Sequence, residues 1–126
     1  MPYLVDTDVL IDVSRNNQAA IEFLDQLNEP WSLSIITALE LVVGARDKNE
    51  VSQIDQLVES FSAIPLTEKI GKSAYSLLTQ FAKSHGLRVF DSLIAATALE
   101  ESLTLVTRNK KHFRMINELN LVIPSY

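Results

Sequence analysis

Asp6, Glu40 and Asp91 are the acids of this chain whose neighbours are least suited to an idle charge. Asp6 ends the apolar run Tyr3-Leu4-Val5, Glu40 is flanked by Leu39, Leu41, Val42 and Val43, and Asp91 precedes an apolar segment at 93–99. A carboxylate buried without a partner is costly, and two of them ~4 Å apart repel by about 4 kcal/mol at an effective dielectric near 20. Gathered in one cleft, such groups must be protonated, paired with Arg or Lys, or bridged by a cation. Carboxylate oxygens are hard ligands and suit Mg²⁺ or Mn²⁺. The chain has no cysteine, which removes disulfides and thiolate–zinc sites. Its two histidines, His85 before Gly86 and His112 beside Phe113, read as surface residues or as neighbours of the site, not as metal ligands.

Each acid also has an ordinary structural reading. Asp6 and Asp91 both stand where a helix N-cap would, and Glu40 lies either on a narrow exposed stripe or buried against a partner. Whether the three are brought together decides between the readings.

The elements that must position them alternate. Short apolar runs at 3–5, 31–36, 62–66, 103–107 and 121–123 predict five strands, and helical spacing marks 7–13, 19–27, 37–45, 51–61, 67–84 and 93–99, with a turn or two at 110–119. Asp6 or Thr7 caps the first helix, and Gly86 stops the one that ends at Ser84. Strands alternating with helices, and strands that are continuously apolar, predict a parallel sheet covered on both faces. Right-handed crossovers then set the C-terminal ends of the strands along one edge, where open sheets bind ligands. Asp6 follows the first strand and Asn109 the fourth, two residues after Thr107. Glu40 lies about one turn into the helix entered from the second strand. Asp91 starts the helix that feeds the fourth strand and joins the others from its N-terminus.

The chain's 126 residues fit a single domain spanning 1–126. With 47% hydrophobic and 21% charged residues, it has the balance of a packed protein and not of a disordered one. An acid at Asp6 comes too early for a signal peptide, and no apolar stretch reaches the ~18 residues of a membrane span. A soluble, cytoplasmic protein is expected, with no membrane partner. The net charge of −5 is unusual for a nucleic-acid binder. Bound cations invert local sign, however, and from Thr104 onward Arg108, Lys110, Lys111 and Arg114 face a single acid, Glu118.

Tyr3-Leu4-Val5-Asp6-Thr7-Asp8-Val9-Leu10-Ile11 resembles the opening of a PIN domain, with Asp8 where the family usually shows Asn or Ser. Thr37-Ala38-Leu39-Glu40-Leu41, followed by Gly44 and Arg46, resembles its second motif. Phe90-Asp91-Ser92-Leu93-Ile94-Ala95-Ala96-Thr97-Ala98 is the most specific piece, and Leu105-Val106-Thr107-Arg108-Asn109-Lys110-Lys111-His112-Phe113 completes the pattern. In this order, over nearly the whole chain, the motifs make it similar to PIN-domain ribonucleases, the VapC-type toxins of type II VapBC toxin–antitoxin pairs.

The resemblance implies a PIN-like three-layer α/β/α sandwich around a central, mostly parallel five-stranded sheet. It implies a Mg²⁺- or Mn²⁺-dependent endoribonuclease acting on RNA, a homodimer, and a partner VapB-like antitoxin that blocks the site. Asp6, Glu40 and Asp91 are then the catalytic and metal-holding residues, and Asp8, Thr107 and Asn109 fix their geometry from behind. Arg108, Lys110 and Lys111 hold RNA phosphates, a solvated basic face being the alternative. Family members often carry an acid at the place of Asn109, so both a one-cation and a two-cation site stay open.

Two rival enzymes lack a residue they need. A phosphoacceptor receiver domain requires an Asp at the end of the third strand, where this chain runs Ala63-Ile64-Pro65-Leu66-Thr67. An aspartyl phosphatase fits Asp6-Thr7-Asp8 but usually has Thr or Val at the place of Leu10, and no later Asp-Asp pair exists. A non-enzymatic alternative is a partner-binding module of PIN fold with little or no turnover, its apolar surface on Leu10, Ile11, Phe23 or Val43 receiving a partner's helix.

Overall fold

The computed structural model describes residues 2–61 and 63–126. Its elements are β1 (Tyr3–Val5), α1 (Thr7–Ser14), α2 (Gln18–Asp25), β2 (Trp31–Ser32), α3 (Ile35–Val43), α4 (Lys48–Phe61), α5 (Glu68–His85), α6 (Val89–Glu100), β3 (Thr104–Val106), α7 (Lys110–Phe113) and β4 (Leu121–Val122). The strands lie in the order β2-β1-β3-β4, every pair parallel, with Tyr3 opposite both Trp31 and Thr104.

Side chains alternate across a strand, so Leu4 and Leu105 serve one face of the sheet and Val5 and Val106 the other. All four are fully buried. On the first face they pack with Ile70, Ala74 and Leu77 of α5 and with Ile94, Ala95 and Ala98 of α6. On the second they meet Val9 and Leu10 of α1, Leu24 of α2, Ala38 and Leu41 of α3 and Ile54 of α4. Helices therefore cover both faces of a parallel sheet, as the unbroken apolar strands predict.

Four strands form the sheet among the described residues, one fewer than expected. At 62–66 only a single parallel bridge forms, between Ser34 and Ile64; Ser62 itself lies outside the described residues. Ile35 N donates to Ile64 O and Ile64 N to Leu33 O, both at 2.8 Å. Pro65 has no N–H with which to continue the ladder. On the other side Ser34 turns the chain into α3, its hydroxyl accepting from Ile36 N at 3.0 Å as the N-cap. β2 thus stops at Ser32, and the helix begins at Ile35.

The helix carrying Asp91 also starts early. Arg88 holds the cap position without a side-chain cap bond, so Asp91 lies inside the first turn and is released from capping. Before it, α5 ends on Gly86 in the left-handed region, φ +69°, the usual helix stop for glycine. Leu10 is fully buried and Ile11 and Phe23 are partly so; of the four apolar residues expected to meet a partner, only Val43 stands in solvent. Among the described residues no helix is long and apolar enough to cross a membrane.

Candidate active site

The C-terminal ends of β1 and β3 are neighbours in the sheet, and the chain leaves both with polar residues. Asp6 follows β1 and caps α1, its Oδ1 accepting from Thr7 N at 2.8 Å. Its Oδ2 accepts from the Thr107 hydroxyl, also at 2.8 Å, and Asp6 N donates to Val106 O at 2.9 Å. Capping and site membership are therefore compatible in one residue.

Asp6 is only 6% exposed. Burial, reinforced by the charge of Asp8 and to a smaller extent that of Asp91, pushes its carboxyl up to about 7 against the two hydrogen bonds. The Asp8 carboxyl is also raised, by burial first. Asp8 Oδ1 accepts from Val9 N at 2.8 Å, and Oδ2 takes Arg108 N at 2.9 Å and Asn109 Nδ2 at 3.1 Å. It thereby ties the segment after β3 to α1. Asn109 N in turn donates to Thr107 Oγ1 at 3.1 Å.

Glu40 arrives from α3. The Thr7 hydroxyl stands 2.7 Å from Glu40 Oε1 and 3.0 Å from Thr37 Oγ1. A hydroxyl has one proton to give, so the consistent arrangement is Thr37 donating to Thr7 and Thr7 to Glu40. Asp91 Oδ2 lies 3.3 Å from His112 Nδ1 and 3.7 Å from Arg88 Nε. Local patterning shows neither pairing. Thr37 and Glu40 do stand three apart on one helical face, the one signal that could have linked them. Asp12 and Tyr126, which hold the Arg108 side chain, were missed as well. Lys110 and Lys111 are exposed.

The fold thus sets Asp6, Asp8, Glu40 and Asp91 around one edge, with Asp8 and Asp91 close enough for their charges to act on Asp6. Oxygen donors around the buried Asp6 carboxyl fit a hard divalent cation in chemistry and in sign. Among the described residues no three acidic or histidine side chains stand in a group that could hold a metal ion. Asp6 is turned to Thr7 and Thr107, Glu40 to Thr7, and Asp91 to Arg88 and His112; a cation would have to draw them from these partners.

An apolar groove of about 380 Å³ reaches Glu40, lined by Ile36, Leu39, Glu40, Val43, Gly44 and Phe90. Leu39, Val43 and Phe90 are 57, 86 and 55% exposed. A more voluminous hollow of about 530 Å³, beside Lys69, Lys72 and Glu100, touches none of these acids.

Comparison with known proteins gives three findings. The PIN-domain family matches residues 3–118 of the chain. Ribonuclease VapC10 of Mycobacterium tuberculosis is 36% identical over 119 residues, 92% of this chain and 89% of that protein. Among solved structures, the VapBC-1 structure of nontypeable Haemophilus influenzae superposes with a TM-score of 0.83 at 27% identity, covering 100% of both chains.

Proposed function

The chain belongs to the PIN-domain family, and from that premise we propose that it is a divalent-cation-dependent endoribonuclease. In this reading it is the toxin of a VapBC-type pair, a cytoplasmic homodimer silenced by a cognate antitoxin. The observation that carries the reading is the Asp6 carboxyl, buried at the shared end of β1 and β3 and raised to about 7 beside two other acids. Carboxyls raised by burial and by neighbouring acids cluster at sites where a cation or a reacting group answers them.

Asp6, Glu40 and Asp91 would hold the cation. Bound there, it supplies neutralisation of charge building on the scissile phosphate and acidifies water. The chain's own groups do the rest. Thr107 and Thr7 N fix the plane of the Asp6 carboxylate. Thr7 occupies one oxygen of Glu40 and leaves the other to face substrate. Glu40 or Asp91 orients or deprotonates the attacking water. Asp8, Thr107 and Asn109 hold the segment after β3 in register with α1, and Arg108, Lys110 and Lys111 meet RNA phosphates.

Metal-dependent cleavage of total RNA, with the cut ends mapped, tests the proposal. Folded protein that leaves RNA intact with both Mg²⁺ and Mn²⁺ overturns it. Thr7→Val removes the donor to Glu40 while keeping the side chain's shape. Cleavage should fall about 10–100-fold, the loss typical when the partner of a ligand is deleted. A wild-type rate in that variant would remove Thr7 from the site.

The antitoxin reading draws on the apolar groove that runs to Glu40. A segment with apolar side chains followed by a cation would fill it and block the acids together. Val43→Asp is expected to weaken capture of the co-expressed antitoxin by about tenfold or more, with RNA cleavage within about twofold of wild type. Retained capture would move the interface elsewhere. The same groove also favours the second reading, a binding module; a folded chain that holds its antitoxin yet never cuts RNA would select it.

A further inference from the structure

Of the arginines and lysines in the segment after β3, Arg108 has its head group held by an acid of α1. Its backbone N donates to Asp8 Oδ2 at 2.9 Å, and its Nη1 lies 2.9 Å from Asp12 Oδ2. Asp8 and Asp12 are four residues apart on α1, so they share one helical face and grip this arginine at its two ends. The Tyr126 hydroxyl donates to the same Asp12 oxygen at 2.8 Å, and the guanidinium carbon sits 4.9 Å from the centre of the Tyr126 ring. The ring itself leans on Phe23, centroids 6.2 Å apart. Burial and the Asp12 carboxylate push the Tyr126 phenol up, so it keeps its proton and stays a donor.

We infer that Tyr126 and Asp12 form a clamp that presents the Arg108 guanidinium to an RNA phosphate beside the sheet edge that carries Asp6 and Asp8. The inference rests on the ribonuclease reading and adds two positioning residues to it. A free arginine loses rotamer entropy when fixed, and the clamp takes part of that loss before substrate arrives. Because Tyr126 shares the Asp12 carboxylate, that acid does not need a second N–H from Arg108. A guanidinium has five N–H donors and one of them is engaged here; with 47% of the side chain exposed, the rest remain for a ligand. The head group lies about one helical turn, roughly 6 Å along α1, from the Asp8 end of the grip. A phosphate adjoining the one at the acids is within its reach.

The test is binding of a labelled single-stranded oligoribonucleotide in Ca²⁺ across a salt series, with the strand's integrity checked on a gel. Tyr126→Leu preserves net charge. It should weaken binding about threefold to tenfold, the cost of ordering one long side chain, and leave the slope of log affinity against log salt unchanged. Arg108→Gln should weaken binding and reduce that slope by about 0.7, the value of one phosphate contact on a single strand. In the Arg108→Gln background Tyr126→Leu should change nothing further, a result that a merely structural tyrosine would not give. If Tyr126→Leu does not fold, Tyr126→Phe, which keeps the contact with Phe23, should still weaken binding about twofold by loss of the bond to Asp12. Wild-type affinity in the folded Tyr126 variant, or a loss that persists undiminished without Arg108, overturns the clamp and leaves the nuclease reading standing. RNA bound in a Tyr126-dependent way but never cut overturns the nuclease reading alone. No binding by the wild type overturns both.

Discussion

Asp6→Asn is expected to lower RNA cleavage on the order of a thousandfold or more and, in the same protein, to raise the stability of the metal-free fold. In the unfolded chain this carboxyl has its ordinary value of 3.8; in the fold it is raised to about 7. Between those values the folded chain keeps a proton that the unfolded chain has released. Stability of the metal-free protein therefore falls as pH rises from about 4 to about 7 and stays low above it. At 1.36 kcal/mol per unit, the upper bound is about 4 kcal/mol, and relaxation around the ionised group brings about 2–4 kcal/mol into range. Asparagine is neutral at every pH and fits the same partners: its oxygen can accept from Thr7 N, and its amide can donate to the Thr107 hydroxyl. The variant should melt roughly 10 °C above wild type at pH 8 in EDTA, and the gap should close near pH 4. A less stable variant at pH 8, or a folded variant that still cuts RNA, contradicts the assignment.

Chelation is the second large effect. EDTA should stop cleavage, and Mg²⁺ or Mn²⁺ should restore it. Below pH 7 a cation must compete with the Asp6 proton, so its affinity should fall about tenfold per pH unit. At 100 times its dissociation constant it should stabilise the fold by about 2.7 kcal/mol, visible as a rise in melting temperature at pH 8. Asp6→Asn, already relieved of the charge, should show little of that rise. Cleavage indifferent to EDTA removes the ion from the reaction, whereas equal thermal responses in the two proteins would place it away from Asp6.

The parts of the architecture that could be read from the chain are those where burial acts on both faces of a strand. Tyr3-Leu4-Val5 and Thr104-Leu105-Val106 are continuously apolar because helices cover them above and below. The third expected strand, at 62–66, is reduced to one bridge for a local reason: its apolar character said nothing of the N–H that Pro65 lacks. Asp91-Ser92 looked like a cap because those residue types usually are caps, yet α6 begins two residues before Asp91 on a helix end that no side chain caps. Of the candidate site, the place of Asp6 at the end of β1 was legible from topology alone. The hydroxyls that hold the carboxylates were not, since Thr7 and Glu40 are 33 residues apart and no periodicity connects them. Periodicity also marks a face as apolar without saying which way it points. Leu10 proved fully buried and Val43 86% exposed for this reason.

The position of β1 in the middle of the sheet has a consequence for how the molecule comes into being. Its neighbour β3 is supplied by residues 104–106, and the bond from Thr107 to Asp6 spans 101 residues. A chain emerging from the ribosome at about 5–20 residues per second carries Asp6 for most of its synthesis with nothing opposite it. Such distant pairings also form late and slowly, because loop closure must come first. A growing chain therefore cannot complete the hydrogen bonds around Asp6 until residues 104–107 have been made and have found the first strand.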